Sequence, residues 1–197
     1  YVHMPLPGES LVAFLSDGAF EEQRGADWAP RWWRAHDSGF AIPVMILNGR
    51  RIEQRTQIVQ EGGAPWLAED VRHNGFDPRI VDGRDPAAIA CAIVEAEDAL
   101  RAFADDPEHR YPAPLPYVIA ETEKGYGFPG AGTNAAHNLP LGGNPHRDAA
   151  ARALFNQGAA ALRVPPVELD DALAGFAVHH AQQRPPESAH PMARRHP

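Results

Sequence analysis

Apolar residues in this chain fall into two patterns: short unbroken runs closed by turn-forming residues, and longer stretches with helical spacing. The short runs are Ser10 to Leu15, Ile42 to Leu47 ("IPVMIL"), Pro78 to Gly83 ("PRIVDG") and Leu115 to Thr122 ("LPYVIAET"). Runs of this length, nearly all apolar, predict short strands, with Ser10 to Leu15 and Ile42 to Leu47 reading as buried ones. Helical spacing predicts helices over Ala19 to Ala35, Ala64 to Asn74, Asp85 to Asp106, Arg147 to Leu162 and Val167 to Gln182. The clearest is "DPAAIACAIVEAEDALRAFADD". Asp85 is placed to cap it, and Pro86 takes the first helical position, where no backbone donor is needed. "RRIEQRT" and the glycine-rich stretch from Glu123 to Asn144 read as loops. Strands alternating with helices predict an α/β fold: a mostly parallel sheet covered by helices on both faces.

In such sheets ligands bind beyond the carboxyl ends of the strands. That rule selects Asp17-Gly18, Asn48-Gly49 and the loop after Thr122. Each dipeptide alone is an ordinary turn former. Roughly thirty residues separate the two, enough for one crossover between neighbouring parallel strands. Asp17 and Asn48 would then share one crevice. A carboxylate, an amide oxygen and a backbone carbonyl are hard oxygen ligands that suit Mg²⁺, with Ca²⁺ also fitting.

These residues carry a resemblance. "SDG" followed by "LNG" resembles the thiamine diphosphate motif, in which Gly-Asp-Gly is followed after a helix by Asn. The first glycine of that motif is Ser16 here. The resemblance implies that Asp17, Asn48 and the backbone of Arg50 hold Mg²⁺ against the cofactor diphosphate. "AIPVMILNGRRIEQRT" is similar to "vLPiLHLNGYKIaNPT" of phosphoketolases, and "NGFDPRIVDGRDP" to their "yGWxPxxVeGxDP". "YVIAETEKGYG" resembles their "mIvLRTPKGW", and "GTNAAHNLPL" their "GTFRAHQVPL". The four blocks run in order from about Leu11 to Leu141. Transketolases share the architecture, and "GTNAAHNLPLG" is also similar to their "GsHsvHGaPLG". Glu22 falls at the transketolase glutamate position, Glu21 at the phosphoketolase one.

The resemblance implies a thiamine diphosphate-binding fold, with residues 1–182 forming part of a diphosphate-binding domain that is incomplete at its N-terminus. It places Gly18, Ile52 and Lys124 at the cofactor and makes His137 the residue that handles a proton or a substrate hydroxyl. The implied reaction is cleavage of xylulose 5-phosphate or fructose 6-phosphate by inorganic phosphate, giving acetyl phosphate and an aldose phosphate. The implied assembly is a homodimer of a longer enzyme, with this chain inactive by itself. Two-carbon transfer of the transketolase kind and a non-catalytic thiamine-fold module are the alternatives.

Composition narrows the classes. A net charge of −8 over 197 residues argues against a nucleic-acid binder, which needs clustered Lys and Arg. No apolar run approaches the roughly 18 residues of a membrane span, and no basic segment leads into an apolar one at the N-terminus. A lone cysteine, Cys91, excludes an internal disulfide. Together these predict a cytoplasmic protein. Cys91 itself reads as buried filler on an apolar helix. Trp28, Trp32 and Trp33 fit a core or a dimer interface equally. Glu21 and Glu22 suit a helix start as well as the acidic network that links paired active sites in the resembled families. His179, His180, His190 and His196 read as solvated, and residues 183–197 as a Pro-rich disordered tail.

Overall fold

The computed structural model describes residues 6, 8–23, 39–138 and 140–190. Four parallel strands form one sheet: β1 (Ser10–Ser16), β2 (Phe40–Leu47), β3 (Phe76–Asp82) and β4 (Leu115–Glu121), in the spatial order β1-β2-β4-β3. The helices are α1 (Asp17–Gln23), α2 (Gln57–Glu61), α3 (Ala64–His73), α4 (Pro86–Asp105), α5 (Ala149–Ala160) and α6 (Pro166–Ala181). This is the α/β class that the alternating pattern predicts.

The core sits on the two central strands. Val44 and Met45 of β2, and Tyr117, Val118, Ile119 and Ala120 of β4, are all buried. Consecutive residues of a strand point to opposite faces, so burial of four in a row means that both faces of β4 are covered. The α3 side chains Leu67, Ala68 and Val71 join this core, as do Ala92, Ala96 and Leu100 of α4. Tyr117 stacks edge-on against Phe76, with ring centroids 5.2 Å apart, which locks β4 to β3. At the other margin, β1 is an edge strand, and Phe14 is 63% exposed.

Asp85 caps α4 as its sequence predicts, accepting the Ala87 N–H at 2.9 Å. Several expectations are corrected. The turn-forming pair Asp17-Gly18 opens a helix, because β1 passes directly into α1 at Asp17. Cys91 is exposed. It lies one position from Ala92, and Ala92, Ala96 and Leu100 mark the inward stripe of α4. His190 is buried rather than solvated. The C-terminal helix α6 forms, but every one of its residues is exposed. Beyond it, Arg184 donates from Nε and from Nη2 to the two carboxylate oxygens of Glu9, each at 2.7 Å. Trp28, Trp32, Trp33 and His196, with most of the helix predicted over Ala19 to Ala35, lie outside the described residues.

Candidate functional site

The parallel register pairs Ser16 of β1 with Ile46 of β2. The carboxyl ends of the two strands therefore finish side by side, and the next residues meet. Asp17 is completely buried at the β1–α1 junction. Its Oδ1 accepts the Gly18 N–H at 2.9 Å, and its Oδ2 accepts the Gly49 N–H at 2.7 Å. No cationic side chain pairs with it among the described residues. Burial is the largest influence on this carboxyl and pushes its pKa up. The two N–H donors pull it down, and the Glu21 charge adds to the rise.

The Asn48-Gly49-Arg50 turn presents the remaining oxygens. Asn48 Oδ1 accepts the Arg50 N–H at 3.0 Å, which fixes the amide and leaves its oxygen a second lone pair. Gly49 sits at φ +77°, and a Cβ there would stand 2.9 Å from Val59 Cγ2, so the turn requires glycine on both counts. A tight antiparallel bridge follows between Arg50 and Arg55. The Arg51 N–H donates to the Gln54 carbonyl at 2.8 Å, and the Thr56 N–H to the Gly49 carbonyl at 3.0 Å. Arg50 falls between those two bonds. Its carbonyl accepts no hydrogen bond from the described residues.

Asp17, Asn48 and the Arg50 carbonyl, predicted as metal ligands, are thus drawn into one turn region. A buried carboxylate without a counter-charge, a fixed amide oxygen and an unused carbonyl have the donor chemistry of a small hard cation. Among the described residues no three His, Cys, Asp or Glu side chains form a metal-holding group, so such a cation would depend on the amide and carbonyl oxygens. Gly18 also fits a crowded site, since a Cβ there would lie 3.2 Å from Arg51 Cγ. Ile52 stands at the tip of the hairpin, 60% exposed.

The loop after β4 folds onto this hairpin. Lys124 Nζ donates to the Arg51 carbonyl at 2.9 Å and lies 3.0 Å from His137 Nδ1. His137 ends a short 3₁₀ turn, Asn134–His137, and is exposed. Lys124 and His137 therefore meet each other, and Lys124 also meets the residue next to Arg50.

Two further participants, Asn134 and Arg51, were not found from the sequence, and Glu21, weighed there as helix-start charge or as part of an acidic network, joins them. Asn134 accepts from Arg50 Nη1 at 2.5 Å and donates to the Glu53 carbonyl, clamping the hairpin a second time. Glu21 Oε1 accepts the Ile58 N–H of α2 at 2.7 Å, and its Oε2 lies 3.5 Å from Arg51 Nε. Arg51 is the third. The signal for Glu21 was its spacing: four residues after Asp17 on a helix puts both on one face. Glu22 is exposed.

An open cleft of about 500 Å³ lies elsewhere, at the ends of β3 and β4 between Ile80, Asp82, Arg84, Glu121 and Glu123. None of the predicted site residues lines it. Arg84 is already held there by both Asp82 oxygens, at 2.9 and 3.0 Å. The strand ends of β1 and β2 remain the better candidate because their polar groups converge.

Fold and site together define a parallel α/β chain with an uncompensated carboxylate and hard oxygen donors at adjacent strand ends. Comparison with known proteins adds one likeness. The chain is 25% identical over 151 residues, covering 68% of its length, to a Lactiplantibacillus plantarum protein described as "Probable phosphoketolase 2". It spans about a fifth, 19%, of that relative. No family model matches. No described helix is long and apolar enough to cross a membrane.

Proposed function

We propose that the chain is part of a phosphoketolase-like enzyme that uses thiamine diphosphate and Mg²⁺ to cleave a sugar phosphate with inorganic phosphate, yielding acetyl phosphate and a shorter aldose phosphate. The observation that carries this reading is the buried Asp17 carboxylate, bonded to the Gly49 N–H and lacking a positive partner among the described residues. The likeness to a phosphoketolase supports the same choice.

In this reading Asp17, the Asn48 amide and the Arg50 carbonyl hold the cation, and Gly18 lies beside them at the cofactor. The cofactor, when bound, supplies the carbanion chemistry of carbon–carbon cleavage. Lys124 adds positive charge beside phosphate groups. His137 contacts the substrate, and Ile52 offers apolar surface to the cofactor ring. A homodimer of a longer cytoplasmic protein is the proposed assembly. Of the two related reactions, Glu21 favours the phosphoketolase type, because it is the acid turned inward to α2 and Arg51 while Glu22 faces solvent.

Calorimetry on the chain with thiamine diphosphate and Mg²⁺ tests the site. Binding that requires Mg²⁺ and disappears in Asp17→Ala is expected, and an absence of binding at millimolar cofactor overturns the reading. The reaction is tested in the full-length protein. Acetyl phosphate should form only when inorganic phosphate is present. Turnover that ignores phosphate and needs an aldose acceptor selects transketolase-like transfer instead.

A further inference from the structure

We propose that Lys124 is a positioning residue that fixes His137 as the tautomer protonated on Nε2, so that His137 meets its ligand as an N–H donor and not as a base. The inference deepens the proposed site. It depends on that reading for the ligand's nature but not for the tautomer.

An ammonium group carries three N–H donors and no acceptor. Lys124 Nζ stands 3.0 Å from His137 Nδ1, so Nδ1 must offer a lone pair. A neutral imidazole has one lone-pair nitrogen and one N–H. With the lone pair on Nδ1, the proton is on Nε2. The second Lys124 bond, to the Arg51 carbonyl at 2.9 Å, anchors the ammonium on the hairpin that follows Asn48. The lysine is partly buried and its ammonium bonds to two partners, so the donor is held in place before any ligand arrives.

The ring's only lone pair is thereby occupied, which removes His137 as an acceptor of a ligand proton. What remains is the Nε2–H of an exposed side chain, with no partner among the described residues. It suits an oxygen acceptor, whether a sugar hydroxyl or carbonyl or a phosphoryl oxygen. Through Arg51 the same lysine ties the orientation of this donor to the turn that carries the proposed cation ligands.

The test is multiple-bond ¹H–¹⁵N NMR on the whole chain with ¹⁵N-labelled histidine, His137 being assigned by its loss in His137→Gln. The wild-type spectrum should show an unprotonated Nδ1 and a protonated Nε2, and an Nδ1–H tautomer there overturns the proposal. In Lys124→Met the Nδ1–H population should rise about fivefold, the factor that one net hydrogen bond sets. Lys124→Arg, which keeps a donor, should restore the wild-type pattern. An unchanged tautomer ratio in a folded Lys124→Met chain also overturns it. No cofactor is present in these spectra. Failed cofactor binding therefore sinks the functional reading alone, and a wrong tautomer sinks this inference alone.

Discussion

Asp17 is a carboxylate with two N–H donors, and its burial sets the sign of its pH dependence. Its folded-state pKa is raised, chiefly by desolvation. Stability from this group is therefore full below the ordinary aspartate value, near 3.9, and is lost as pH rises through the higher folded value. Three other carboxylates run the opposite way. Glu9, Asp82 and Glu97 are held below their usual range by hydrogen bonds from Arg184, Arg84 and Arg101. Their contribution is present above the ordinary carboxylate range and lost as pH falls. With a chelator present, urea midpoints should pass through a maximum in mild acid and decline toward neutrality. A cation bound at Asp17 should offset that decline. Mg²⁺ at about 100 times its dissociation constant adds about 2.7 kcal/mol, seen at pH 7 and fading in acid where Asp17 holds its proton. Midpoints at pH 7 that ignore Mg²⁺ would count against the cation site.

At the scale of elements, the loop that carries Lys124 and His137 is held from two sides. Lys124 and Asn134 fasten it to the Arg50–Arg55 hairpin. From behind, α5 props it, with Phe155 and Phe128 edge to face at 6.2 Å. Gly158 of α5 makes this approach possible, because a Cβ there would overlap the Phe128 ring and stand 2.7 Å from Pro129 Cδ. Two effects compete in Gly158→Ala. Helix propensity favours alanine by about 1 kcal/mol, whereas overpacking costs about 1–3 kcal/mol. An added methyl would meet both rings at less than contact distance, so overpacking should win. The urea midpoint should fall, and a rise would show that the loop yields freely. None of this packing was legible in the sequence, where "FNQGAA" reads as plain helix. The strands were legible to within two residues, because β1, β2 and β4 are apolar runs closed by turn formers and β3, despite Arg79, ends in the turn signal Asp82-Gly83. So was the Asp85 cap. Asp17 and Asn48 were legible for a related reason: a polar residue before glycine that ends an apolar run marks a strand end. The five-residue α2 was not, since no periodicity fits in one turn. The Glu21–Ile58 and Lys124–Arg51 contacts join residues 37 and 73 positions apart, and only tertiary folding brings them together.

Across the whole molecule, stability is distributed unevenly, and α6 marks the weak end. Its sixteen residues run from Pro166 to Ala181. Leu169, Leu173 and Phe176 share one face at helical spacing, yet none is buried, and Phe176 is 70% exposed. A helix of this length without a packed face is marginal in water. The central strands are the opposite case, with Ile119 wholly enclosed. Native-state hydrogen exchange should therefore separate them. Amides of β2 and β4 should exchange only through global unfolding, and those of α6 through local opening at far lower free energy. Substitutions should divide in the same way. Ile119→Ala opens a cavity in the closed core and should cost about 2–5 kcal/mol. Phe176→Ser removes a ring that touches little and should change stability by no more than about 0.5 kcal/mol. A loss near 2 kcal/mol in Phe176→Ser, with slow exchange along α6, would mean that this helix buries its apolar face in solution. The two measurements together therefore decide whether α6 belongs to the folding unit built around β2 and β4 or only follows it in the chain.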